Sequence, residues 1–265
     1  MKLNYHTHTQ LCRHAFGTTE EYVQSALKNG LGVLGFSDHA PFPEKDFGYR
    51  MLYDELTGYK NEIDRLKAEY HEKMTIYCGL EIEYLPCKDD YYVKLKDKIS
   101  GFGFDYLAMG EHFYGETTDS TKNIFFASST DDYVEYAEYI SRGLSTGLFS
   151  FLAHPDIMFY NDFAFDSNCR KACDIILTAV EKNNVPVEFN ANGLRREKKI
   201  YPDGKRHPYP YLPFWEIIRG SNIRVILGAD SHTPDQVWDS DVEQAYEICD
   251  RMNLNVITSD FLEGI

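Results

Sequence analysis

Short apolar runs recur along this chain, and helical patterns fill the intervals between them. The runs are Lys2–Tyr5, Gly32–Phe36, Thr75–Leu80, Tyr106–Met109, Phe149–Ala153, Pro186–Phe189 and Arg224–Leu227. Most are apolar on both faces, as strands are when a sheet is covered on both sides and its pairing is parallel. The intervals carry apolar residues at spacings of three and four. In Leu52–Glu72 the stripe is Leu52, Leu56, Tyr59, Ile63, Leu66 and Tyr70. Thr19–Asn29 has Thr18 or Thr19 as N-cap, Glu20 and Glu21 in its first turn, and ends before Gly30. Asp132–Leu144, Asn168–Lys182, Pro213–Gly220 and Asp241–Met252 show similar stripes. Repeated strand–helix order implies right-handed β/α units. Over 265 residues, this suits one α/β domain, 1–265, closed or nearly closed into a barrel. An open doubly wound sheet is the alternative, but no G-x-G-x-x-G follows the first run, so its usual dinucleotide-binding form is excluded.

Composition narrows the function. Hydrophobic residues make up 43% of the chain, with 17 Phe and 20 Tyr, enough for a large core. No segment approaches the roughly 20 apolar residues of a membrane span. The N-terminus turns polar within a few residues, so a cytoplasmic protein without membrane partners is expected. The six cysteines form no C-x-x-C pair and read as reduced thiols, although Cys12 lies among histidines. A net charge of −15 argues against nucleic acid as a partner. A phosphorylated substrate would then need local positive charge, from metal ions or placed Arg and Lys.

The placement of the nine histidines is more informative than their number. His6 and His8 follow the first run and His14 the loop after it. Asp38 and His39 end the second strand, Glu81 and Glu83 the third, His112 the fourth, His154 the fifth, and Asp230 and His232 the seventh. His71 and His207 fall outside the pattern: His71 lies on a charged helix, and His207 in a Pro/Tyr-rich loop where its role stays open. In a parallel barrel, C-terminal strand ends share one rim, where active sites are built. Side chains two apart face the same way, so His6 and His8 can reach one ion, and Asp230 and His232 can share a site. A single histidine at a strand end is ordinarily a hydrogen-bonded loop residue. So many gathered at one rim would be costly to bury unpaired, and point to several metal ions. Imidazole and carboxylate suit zinc, manganese or iron. One of Glu81 and Glu83 suffices as ligand, and Asp38 is expected to orient His39 from behind.

HTH after the first strand, SDH after the second, then GLEIE, EH, AHP and GADSH together resemble the polymerase and histidinol phosphatase (PHP) superfamily. The resemblance runs from residue 4 to residue 232. It implies a distorted (β/α)7 barrel with its metal site at the C-terminal rim and, in many members, three divalent ions. Carried over by motif, His6, His8, Glu81 and Asp230 would hold the first ion. Glu81 would bridge to a second on His112 and His154. His14, His39 and His232 would hold a third. The opening HTHTQLCRHA further resembles the histidinol-phosphate phosphatases of histidine biosynthesis, whereas GEHF departs from the Gly-Ser-x-His-like form of that branch.

The chemistry expected is hydrolysis of a small phosphomonoester, L-histidinol phosphate, by hydroxide shared between the ions that Glu81 bridges. Asp230 and His232 are the candidates for assisting the leaving alkoxide. No Ser or Cys nucleophile motif appears, so no covalent phosphoenzyme is expected. Phosphate also favours a guanidinium fork. NANGLRREKK follows the sixth strand, so Arg195 or Arg196 could reach the rim, with Arg13, Lys205 and Arg206 as weaker candidates. Phe42, Tyr49, Phe113, Tyr114 and Tyr160 could receive the rest of the substrate. Two alternatives stand beside this reading. One is a related phosphoesterase acting on nucleotides, oligonucleotides or phosphotyrosine; the other is a metal-binding regulatory domain without turnover.

Overall fold

The computed structural model describes residues 1–264. Eight parallel strands form one sheet in strictly sequential order: β1 (Lys2–Asn4), β2 (Leu31–Phe36), β3 (Thr75–Ile82), β4 (Tyr106–Met109), β5 (Phe151–Leu152), β6 (Val187–Asn190), β7 (Arg224–Gly228) and β8 (Asn255–Val256). An open doubly wound sheet would reverse its order at a switch point; this one curls until its ends meet. At the C-terminal end Thr7, just past β1, bridges Ser231, just past β7. His8 donates to the Ser231 carbonyl at 2.9 Å and Ser231 to that of His6 at 3.3 Å. The seven expected strands therefore close on each other, and β8 is an addition, paired to the start of β7.

Some boundaries move for local reasons. β5 is shorter than its apolar run because pairing covers only Phe151 and Leu152. β6 begins after Pro186, which has no N–H to give a ladder. The long second helix opens with a separate 3-10 turn, Tyr53–Glu55, before α2 (Leu56–Tyr70). α1 (Thr19–Lys28) starts with a full capping box between Thr18 and Glu21. Further segments went unforeseen: α3 (Asp89–Lys96) and the hairpins Phe113–Tyr114/Lys122–Asn123 and Lys199–Tyr201/Gly204–Arg206.

Two apolar cores follow from strand alternation. Leu34, Phe36, Leu80 and Leu107 face outward under the helices. Leu3, Tyr5, Val33, Tyr106, Phe151 and Ile226 fill the barrel, with Leu262 among them. Tyr106 donates to the Tyr5 carbonyl, tying β4 to β1 across the interior. Continuing the same inward alternation toward the rim, β3 presents Glu81 and, just past its end, Glu83, and β6 presents Glu188 and Asn190. Among the described residues no helix is long and apolar enough to cross a membrane.

Candidate metal and phosphate site

Side chains from the ends of β1, β2, β3, β4, β5 and β7 converge at this rim. Glu81 is central and buried. Its Oε2 lies 3.2 Å from His6 Nε2, 3.4 Å from His8 Nε2 and 3.0 Å from His39 Nδ1. Its Oε1 lies 2.7 Å from His154 Nε2 and 3.7 Å from His112 Nε2. Asp230 Oδ1 is 3.2 Å from His8 Nε2 and 3.7 Å from His6 Nε2. Gly110 is needed beside this carboxylate, because a Cβ there would lie 2.0 Å from Glu81 Oε1.

Hydrogen bonds on the far sides of the rings decide what faces inward. His6 Nδ1 is 2.7 Å from Glu188 Oε1, so Nδ1 carries a proton and Nε2 is the nitrogen turned toward the cluster. His14 Nδ1 meets the Cys12 carbonyl at 2.8 Å and His232 Nδ1 the Asp230 carbonyl at 3.0 Å. Both therefore turn bare Nε2 atoms inward, 2.9 Å apart. Lone pairs facing each other at such distances repel unless a cation lies between them. Together with the Glu81 and Asp230 oxygens they form a donor set that fits divalent ions of the zinc, manganese or iron type. His6, His8 and Glu81 have donor atoms mutually within 4.8 Å, as do His39, Glu81 and His112, and His8, His39 and His232.

The backbone is strained where two of these residues attach. His154 (φ 29°) and Asp230 (φ 47°) both occupy the left-handed region. Asp230 Oδ2 accepts from Asn190 at 3.2 Å and Asn192 at 3.0 Å, which turns Oδ1 toward the histidines. Burial alone would raise the Asp230 carboxyl, but His6, His8 and His232 hold it well below the usual range.

Several residues sit otherwise than expected. Asp38 does not support His39. Successive residues on an extended segment point opposite ways, so Asp38 faces His8, with Oδ1 3.8 Å from Nδ1, and accepts from the Thr9 N–H at 2.8 Å. Arg195 is turned away from the cleft: it forks onto Asp239 at 2.7 and 3.1 Å and donates to the Ala229 and Gln236 carbonyls. Arg196, one residue on, does line the cleft, with Nε 3.1 Å from the Tyr209 hydroxyl. Asp230 and His232 are poor proton donors as they stand. The Asp230 carboxyl is held well below its usual range, and burial with the neighbouring His8 lowers His232 to about 3, its Nδ1–H already committed to a carbonyl. Glu83, set aside as redundant, is held by Arg50 at 3.0 Å through both nitrogens and faces His112 Nδ1 at 3.3 Å. Cys12 comes within 4.8 Å of the His14 and His232 donor atoms, but burial, with Asp38 next in effect, pushes its thiol up. His207 braces the Arg196 carbonyl at 2.7 Å, and His71 stands in solvent.

Glu188, Asn190, Asn192 and Arg50 were not anticipated. A charged residue inside the otherwise apolar run Pro186–Phe189 was the available signal for Glu188; for the others nothing local distinguished them. The ligand cluster opens to a cleft of about 420 Å³ whose other walls include Tyr49, Phe113, Phe125 and Arg196.

A model of the PHP domain matches residues 4–192. The chain belongs to the PHP domain family. Among its PHP relatives, a probable histidinol-phosphatase of Deinococcus radiodurans is 29% identical over 88% of this chain and 86% of its own length. The histidinol-phosphatase of Bacillus subtilis is 27% identical over 93% of this chain and 97% of its own. The PHP fold itself recurs in the solved histidinol phosphate phosphatase of Lactococcus lactis, a complex with zinc, L-histidinol and phosphate. It superposes with a TM-score of 0.70 at 20% identity, covering 97% of this chain and 95% of that one.

Proposed function

We propose that residues 1–265 act as one barrel domain that hydrolyses L-histidinol phosphate to L-histidinol and phosphate, as a metal-dependent phosphomonoesterase. The observation that carries the chemistry is the set of imidazole nitrogens and carboxylate oxygens facing each other at 2.7–3.7 Å, opening on a cleft that also holds an arginine. The substrate rests on two histidinol-phosphatase relatives that align over most of their length.

In this reading His6, His8, Glu81 and Asp230 hold one ion, Glu81, His112 and His154 a second, and His14, His39 and His232 a third. His39 also stands 3.0 Å from Glu81, so it lies at the border between groups. When bound, divalent ions supply Lewis acidity to the phosphoryl oxygens and to the attacking water. Arg196 offers its terminal N–H groups to the phosphate. Tyr49, Phe113 and Phe125 give the leaving group an aromatic wall and limit water on that side. Asn190 and Asn192 keep Asp230 turned toward the ions. Asp230 and His232 serve as ligands in this scheme, not as acids.

The test is phosphate release from histidinol phosphate, nucleotides, a phosphotyrosine peptide and oligonucleotides, each with added manganese or zinc. Preference for histidinol phosphate is the expected result. Preference for any other member of the panel would replace the substrate while keeping the metals. Metal binding with no turnover on the panel would refute the enzymatic reading.

A further inference from the structure

Glu188 is a charged side chain in the centre of the barrel, fully buried, and absent from the ligand set above. Each of its oxygens is engaged. Oε1 accepts from His6 Nδ1 at 2.7 Å. Oε2 accepts from the His154 backbone N–H at 3.0 Å and from Asn190 Nδ2 at 2.8 Å. The same Asn190 nitrogen reaches Asp230 Oδ2 at 3.2 Å. One carboxylate on β6 therefore touches the supports of three residues from three other strands: His6 after β1, His154 after β5 and Asp230 after β7. The neighbouring strand is shaped around it, because a Cβ at Gly228 would fall 1.7 Å from Glu188 Oε1.

We propose that Glu188 is a positioning residue that couples the two ions sharing Glu81, by fixing the His6 tautomer and the strained His154 backbone together. This rests on the metal-holding reading of the site. The argument is geometric. The acceptor at Oε1 keeps a proton on His6 Nδ1, so that Nε2, the atom that faces Glu81 and His8, is the nitrogen left to take an ion. Only an acceptor at Oε2 holds the His154 N–H with φ at 29°, which sets the direction of the ring whose Nε2 meets Glu81. His6 and His154 belong to different ions, so a single group sets both. His14 and His232 have no contact with Glu188 among the described residues, and the group they form provides an internal control.

Glu188→Gln tests this at constant shape. A primary amide has one acceptor oxygen where the site needs two, so either His6 or the pair His154 and Asn190 meets an N–H instead. Zinc chloride titrated against a competing chelator should show the two Glu81-linked ions bound roughly 10–100-fold more weakly, while the His14–His232 site keeps its wild-type affinity. Unchanged affinity at the Glu81-linked sites, with a lowered melting temperature alone, would reduce Glu188 to a structural role and overturn the proposal. Should wild type take up no zinc, the metal reading itself fails, which is a separate outcome from failure of the coupling. A second measurement needs no variant: nitrogen-15 spectra of histidine-labelled, zinc-loaded wild type should place the His6 proton on Nδ1, and a proton on Nε2 would overturn the proposal even if Glu188→Gln does not fold.

Discussion

Arg50→Met should be among the most damaging substitutions in this protein that touch no proposed ligand. Arg50 lies in the loop between β2 and α2 and is 3% exposed. Its two terminal nitrogens each meet a Glu83 oxygen at 3.0 Å, and one also donates to the Ala40 carbonyl at 2.9 Å. Its guanidinium faces the rings of Phe47 at 5.2 Å and Phe113 at 5.8 Å. Glu83 is 1% exposed. Burial would raise its carboxyl, but Arg50, followed by His112, brings it down to about 2 from 4.5. At about 1.4 kcal/mol per unit, that shift corresponds to about 3–4 kcal/mol, most of it from Arg50 and the rest from His112. The figure agrees with the roughly 3–5 kcal/mol lost when one partner of a buried ion pair is removed. A carboxylate with a depressed folded pKa contributes stability that is complete above its unfolded value and disappears as pH falls through the folded value. The Arg50–Glu83 contribution should therefore be full above pH 4.5 and vanish toward pH 2. The assay is urea unfolding at pH 7 with chelator present, so that ion linkage does not enter. Arg50→Met should lose about 3 kcal/mol, and adding Glu83→Gln should recover most of it by removing the stranded charge. A loss below about 1 kcal/mol, or a double variant no better than the single one, would refute the reasoning, since about 1 kcal/mol is what an exposed pair yields.

The two adjacent arginines should separate cleanly. Arg196→Ala should raise KM for the phosphate substrate by roughly tenfold or more, the worth of one charge-assisted contact, with melting temperature little changed. Arg195→Ala should cost roughly 1.5–3 kcal/mol of stability and leave KM alone; steady-state kinetics and thermal scans read both. Zinc at a hundred times its dissociation constant should stabilise the protein by about 2.7 kcal/mol, a rise of roughly 5–10 °C in melting temperature; a flat response would contradict the metal centre. Asp230→Ala and His6→Ala should each lower bound metal per chain by elemental analysis, and an unaltered content would show that neither is a ligand.

Much of this was legible along the chain. The strand–helix alternation is a local signal, carried by apolar periods of two faces and of 3.6 residues, and the sequential sheet order follows from right-handed β/α units. The convergence of His6, His8, His39, Glu81, His112, His154 and Asp230 was legible for the same reason: each sits at the end of an apolar run, and parallel strands send those ends to one rim. The short elements were not, because a two-residue strand or a three-residue 3-10 turn leaves too little pattern to read. Which of two neighbouring residues points inward was also hidden, since it turns on the path of a few peptide units. So Arg196 lines the cleft while Arg195 locks the start of the helix Ser240–Arg251 through its N-cap Asp239, and Asp38 faces His8 instead of His39. The supports of the site lay furthest from view. Glu188 beneath His6, Asn190 beneath Asp230 and Arg50 against Glu83 are pairings between distant parts of the chain. Such partners are chosen by closure of the barrel, where burial makes every charge and N–H find a complement, and no single segment carries that requirement by itself.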